Sequence, residues 1–387
     1  MIQFGIDVLL RQNPDWKTKK IGLVTNHAAT TNYLYPSRKA LIEKGFNLIK
    51  LFSPEHGLDT KGEDGAKIYD GIDTLTKLPI ISLYGDKLTA NEHDLKDIDV
   101  VLFDVPDIGC RFYTYLWTLS FVMEACANFN KPLIITDRPN PISGNFDRTE
   151  GPMLDEAHCS SFIGRWNIPL RHCCTMGELA HFFNKTREIN ATIEVIQNMN
   201  WQRNMYQPDW GVSFVPTSPA IKNFQSSLLY PGLGLLEATN ICEGRGTEMP
   251  FAIIGAPWLD NKLLMDKLFN ATLEMEPITF VPDESKYVGE LCKGIRFYVR
   301  DIENFDAVYN GLMLIKLIKD QHPESFDWKP YPTNVNPTGR KHLDLLMGYH
   351  NSESLFELPL NVFAEQIKNL TLAKKWEKSI EPYLLYS

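Results

Sequence analysis

The sequence predicts an α/β protein: a doubly wound parallel sheet in residues 1–145, then an α+β domain in residues 146–387 that closes a cleft against it. Three observations predict this. Short runs rich in Val, Ile and Leu alternate with stretches of helical spacing through the first part. Each run stops abruptly at a polar cluster, as buried parallel strands do at the edge where ligands bind. From about residue 150 the alternation gives way to helices, scattered strands and a Pro-, Trp- and Tyr-rich stretch, with no long linker between.

Lys20-Ile-Gly-Leu-Val-Thr25 reads as the first strand, and Tyr35 to Lys44 as a helix closed by Gly45. Asn47-Leu-Ile-Lys-Leu-Phe52 is the second strand; Pro54, lacking an N–H, cannot extend it, so Glu55 and His56 are delivered to its carboxyl end. After a Gly- and Asp-rich loop (Leu58 to Gly71), Leu78–Leu83, Asp99–Phe103 and Lys131–Thr136 are further strands, with a long helix from Thr114 to Asn130. Parallel strands with right-handed crossovers open all their carboxyl ends on one edge, which Glu55, Asp104, Asp107, Asp137 and Arg138 should share. Beyond the boundary, Thr175-Met-Gly-Glu178 is a capping box opening a helix, and Ile193–Gln197 a strand of the second domain. Trp201 to Gly234 reads as an irregular loop over the cleft. Helices are expected at 259–273, 306–321, 362–369 and 372–379, and a strand at 295–299.

A formal charge of −9 gives no basic face for nucleic acid, and an anionic ligand would need local arginines. No apolar run is long enough to span a membrane. The seven scattered cysteines suit reduced thiols and, with no signal peptide at Met1, a cytoplasmic chain; a processed exported chain would begin the same way. The dinucleotide fingerprint is broken, since Gly232-Leu-Gly234 lacks a third glycine, so no nucleotide cofactor is expected and an oxidoreductase reading is weak. No metal is expected either: His172-Cys173-Cys174 has adjacent spacing that suits a core strand, and no Walker A loop, H-E-x-x-H pair or G-x-S-x-G elbow occurs.

Hydrolysis of a stable bond needs groups that hold and release protons, and Glu55 is the leading candidate. Its alternative is a loop residue or helix cap; that of His56 is a structural hydrogen bond. Asp107 lies beyond its strand, whereas Asp137-Arg138 could be an internal ion pair and Asn140 comes next in the same loop. Arg111 and Tyr113 could grip a carboxylate and a sugar ring, or form a packing turn. Asn240, Glu243, Arg245 and Glu248 lie among glycines that let a backbone approach a ligand.

Phe52-Ser-Pro-Glu-His-Gly57, Val101–Tyr115, Thr136-Asp-Arg-Pro-Asn-Pro141, Glu150-Gly-Pro152, Arg171-His172, Thr175–Leu179, Tyr230-Pro-Gly232, Glu243-Gly-Arg-Gly-Thr247 and Gly255-Ala-Pro-Trp258 carry a resemblance. In this order, over essentially the whole chain, they resemble the YbbC-like family, described as exo-β-N-acetylmuramidases (NamZ). The resemblance implies a Rossmann-like first domain that needs no nucleotide. It also implies release of terminal β-1,4-linked N-acetylmuramic acid from the non-reducing end of peptidoglycan-derived muramyl saccharides. On that reading Glu55 is the general acid, with Glu243 first and Asp107 second as its partner carboxylate. Arg111 or Arg245 would pair with the lactyl carboxylate. A non-catalytic cell-wall sugar-binding protein using the same cleft is the alternative.

Overall fold

A computed structural model describes residues 1–268 and 271–387. Its main sheet contains β1 (Ile21–Thr25), β2 (Leu48–Ser53), β3 (Gly71–Ile72), β4 (Pro79–Ser82), β5 (Val100–Asp104), β6 (Leu133–Thr136) and β7 (Ile193–Ile196). Their order is β3-β4-β2-β1-β5-β6-β7, parallel throughout except for β3, a two-residue antiparallel edge where the expected loop ends. A second sheet, β8 (Ile253–Ala256), β9 (Leu273–Phe280) and β10 (Cys292–Val299), is antiparallel with β10 central.

The central strands are buried on both faces, and alternate residues feed two cores. Leu23, Val100, Leu102 and Ile134 pack with Phe4 and Leu41 on one side, whereas Val24, Val101, Phe103, Leu133 and Ile135 face the other. That second core runs without a break through the helix Tyr115–Asn128 into Ile254, Ile295, Leu312 and Trp376. One continuous apolar mass therefore joins the two sheets, which is why no linker punctuates the sequence.

The expected boundary at residue 145 is corrected here: Ile193–Ile196 pairs in parallel with β6 and completes the first sheet. It comes after the helix Met176–Thr186, whose Thr175–Glu178 capping box forms as expected. The stretch Trp201–Gly234 also holds more order than its composition suggested. Asn223 accepts from the Ser226 N–H and opens a buried helix, Phe224–Leu233. Pro231-Gly232 reads as a breaker in sequence, but Gly232 sits where a Cβ would lie 2.0 Å from the Ala307 carbonyl. The glycine thus permits close packing against the helix Ala307–Gln321. The helix expected at 259–273 is confined to Asn261–Lys267; Phe269 and Asn270 of that expectation lie outside the described residues, and Leu273 opens β9.

Glu150 fastens this second region to the first. It is buried, and its carboxylate accepts from the N–H groups of Ala307 (2.8 Å), Val308 (2.8 Å) and Tyr309 (3.3 Å), with Arg171 at 3.5 Å. Its carboxyl oxygens thereby meet the open donors at the start of a 15-residue helix, while burial pushes this acid up to about 7 against the Arg171 charge. Among the described residues, no helix is long and apolar enough to cross a membrane.

Candidate active site

β2 ends at Ser53, and the chain turns through His56 and Gly57, both left-handed at φ 64° and 73°. A left-handed histidine needs outside support. Gly62 gives it on both sides: its carbonyl lies 2.8 Å from His56 Nδ1, and its N–H donates to the His56 carbonyl at 3.0 Å. The turn thus aims Glu55 inward and leaves His56 Nε2 facing Asp64 Oδ1 at 4.0 Å.

Both oxygens of Glu55 are held. Oε1 accepts from the Gly65 N–H at 3.0 Å, and Oε2 from the Thr114 hydroxyl at 2.5 Å. Thr114 stands at the N-cap of the helix Tyr115–Asn128, yet its hydroxyl makes no cap bond and serves Glu55 instead. Gly65 has φ 66°, and a Cβ there would meet Thr333 at 2.6 Å, so this position requires glycine. Asn334 returns its N–H to the Gly65 carbonyl at 2.8 Å, and Tyr331 donates its hydroxyl to Asp64 Oδ2 at 2.7 Å.

These groups line a cavity of about 560 Å³, counting space open at its mouth, walled by both parts of the chain. Burial pushes the Glu55 carboxyl upward, with the Asp64 charge adding to it and His56 opposing. Burial would raise Asp64 too, but the Arg245 guanidinium, His56 and the Tyr331 hydroxyl outweigh it and hold Asp64 low. Burial thus pushes one carboxyl up beside another that its neighbours hold down, the divergence that lets two acids take different parts in acid–base chemistry. Tyr84 adds a buried hydroxyl without a protein partner; burial first, then the Glu55 charge, keeps it protonated.

Of the residues singled out in the sequence, Glu55, His56, Tyr113 and Arg245 line this cavity. Arg245 stands among three carboxylates: Glu237 at 2.7 Å, Asp64 at 3.3 Å and Glu243 at 3.3 Å. Glu243 is fully buried behind it, bonded to Lys286 at 2.8 Å, and does not reach the cavity. Asp64 and Glu237 take the place expected for Glu243. Asp107 is also displaced, since it lines a different crevice.

Arg111 is corrected more sharply. Its two terminal nitrogens donate to the carbonyls of Pro152, Ile168, Leu346 and Met347 at 2.5–3.1 Å; only its Nε lacks a partner, and the whole side chain is buried away from the cavity lining. Burial pulls it down to about 10. Asp137 accepts from the Gly177 N–H and the Tyr386 hydroxyl, and burial pushes it up to about 6. Arg138 is spent on Asp104 at 2.8 Å, so these two do share the sheet edge, but as a structural pair. Asn140 braces the Cys174 carbonyl and the Ile142 N–H, and Asn240 braces Ser325 and Asp327. Glu248 is 96% exposed beside Lys222.

Asp64, Tyr84, Glu237, Tyr331 and His342 were not anticipated. Asp64 had a signal, because Gly62-Glu-Asp-Gly65 sets acids between glycines as Glu243–Glu248 does. Glu55, His56 and Asp64 offer ligand atoms within 4.8 Å of one another, the spacing of a cation site. Here Gly65 and Thr114 already donate to Glu55, and Arg245 supplies the positive complement of Asp64. That donor set fits proton handling better than metal binding.

Two family models match the chain: the N-terminal domain of exo-β-N-acetylmuramidase NamZ over residues 21–225, and its C-terminal domain over residues 228–386. The peptidoglycan β-N-acetylmuramidase NamZ of Bacillus subtilis (strain 168) is 41% identical over 335 residues, covering 84% of this chain and 80% of that one. Two DUF1343 family proteins from Bacteroides fragilis have similar crystal structures, each over 100% of this chain and 99% of theirs. Their TM-scores are 0.86 and 0.75, at 28% and 26% identity. The chain belongs to the NamZ exo-β-N-acetylmuramidase family.

Proposed function

We propose that this cavity hydrolyses the terminal β-1,4 bond of N-acetylmuramic acid at the non-reducing end of peptidoglycan fragments. The observation that carries the proposal is the pair of carboxylates facing one cavity, Glu55 set in burial that pushes it up and Asp64 beside the Arg245 guanidinium that holds it down. Family membership and the activity named for the Bacillus subtilis relative support it. Glu55 gives its proton to the glycosidic oxygen as the bond to C1 breaks, and Asp64 meets the positive charge growing at C1. Water then adds to C1, and the proton it sheds returns to Glu55. An oxygen of Asp64 lies within 4.8 Å of Glu55. Carboxyls about 5–5.5 Å apart act on the sugar directly, whereas about 6.5–9.5 Å is needed to seat a water between them.

The test is direct. Incubation with the N-acetylmuramyl-N-acetylglucosamine disaccharide should yield the two free sugars in equal amounts. Intact disaccharide after prolonged incubation would leave only a sugar-binding protein.

Arg245 carries the one permanent positive charge among the described residues lining the cavity, and we assign it the lactyl carboxylate of muramic acid. A planar fork grips a carboxylate in a way an ammonium does not. Arg245→Lys should therefore lower kcat/KM for a muramyl substrate about tenfold or more while sparing the matching glucosaminyl one. Equal losses on both would reject the assignment.

A further inference from the structure

The main sheet has a second crevice, away from the catalytic cavity. Strand order reverses between β1 and β5, the switch point at which open α/β sheets hold ligands. There a crevice of about 470 Å³, counting space open at its mouth, is walled by Phe4, Pro106, Trp210, Phe214 and Val215, with Asp107 among them. Two polar atoms of these lining residues are buried without partners: Asp107 Oδ1 and Trp210 Nε1. Such atoms are costly to leave unpaired, so each calls for an occupant.

Asp107 is held in place for one. Its Oδ2 accepts from the Gly109 N–H at 2.8 Å and has His172 Nε2 at 3.3 Å, which leaves Oδ1 uncommitted. His172 is itself fixed, because its Nδ1 accepts from the Cys174 N–H at 3.2 Å. The Arg138 guanidinium, at the same wall, is occupied by Asp104 at 2.8 and 3.1 Å. Among the described residues of this lining, no other arginine or lysine is present to receive an anion.

We infer that the switch-point crevice is a second binding site, built for an uncharged amino-sugar ring of the N-acetylglucosamine class. A ring hydroxyl donates to Asp107 Oδ1, a sugar oxygen accepts from Trp210 Nε1, and the C–H face lies on the aromatic wall. The Asp107 carboxylate turns away muramic acid and phosphates. The choice of sugar rests on the activity proposed above; the existence of the site does not. Thr217 lines the crevice, and its Oγ1 and carbonyl accept from the Tyr113 and Tyr115 hydroxyls at 2.7 Å each, Tyr113 being a lining residue of the catalytic cavity.

Calorimetric titration of the full chain with N-acetylglucosamine, which is not itself cleaved, tests this apart from turnover. Saturable binding is expected, weakened about tenfold by Trp210→Phe and by Asp107→Asn, the worth of one hydrogen bond. Glu55→Gln should leave it unchanged. Absence of saturable binding, indifference to both crevice substitutions, or loss only in Glu55→Gln would overturn the inference. Crystals soaked in the sugar decide the matter if either variant folds poorly. A ring between Trp210 and Asp107 supports the site; density confined to the catalytic cavity refutes it.

Discussion

Glu55→Gln lowers kcat for release of N-acetylmuramic acid by about 10²–10⁴-fold, the usual worth of a positioned general acid. The amide keeps the shape of the side chain and an oxygen to accept from Gly65 or Thr114, so folding and substrate affinity should survive. What is lost is the transferable proton. The pH profile makes the same point independently. Glu55 is raised by burial, so it stays protonated and active on the acid side, and kcat/KM falls as pH rises through that raised value. Asp64, held low, must lose its proton before the acid limb is complete. In the Gln variant the residual rate should show no basic limb from this group. A near-normal rate, or an unchanged basic limb, would place the acid elsewhere.

Glu150→Ala should destabilise the fold by about 3–5 kcal/mol, the typical result of stripping one partner from a buried ion pair. Arg171 would be left charged and fully buried, and three N–H groups at the head of the Ala307–Gln321 helix would lose their acceptor. The urea midpoint reports it, with Glu150→Gln falling between the parent and Ala. A loss below about 1 kcal/mol would mean that water replaces the carboxylate and that the joint matters little.

The sheet was legible because each central strand is a short run buried on both faces, a pattern that few other arrangements produce. Glu55 was legible for a related reason: Pro54 forbids any continuation of β2, so the residues after it must turn out at the edge. Arg111 and Glu243 misled because residue type and glycine spacing do not say which way a side chain points. Arg111 found four carbonyls and Glu243 found Lys286, contacts over distances in sequence that no local pattern encodes. Tyr331 was invisible for the opposite reason, since 329–341 has no period to read, and His342 opens a six-residue helix too short to stand out. The strand at Ile193–Gln197 was assigned to the second domain because a strand's partner is set by the whole topology and not by its own composition.

The stitching of residues 331–334 to the loop 62–65 has a mechanical corollary. Tyr331 donates to the Asp64 carboxylate and steadies its charge, Thr333 crowds Gly65, and Asn334 ties down both the Gly65 and Gly85 carbonyls. Prising that flap away to admit a longer glycan would also unseat the amide that steadies the proton donor. Access and reactivity are thereby geared together: a polymer threaded through would meet a disarmed centre, whereas a chain end slipped in from the mouth meets one already cocked.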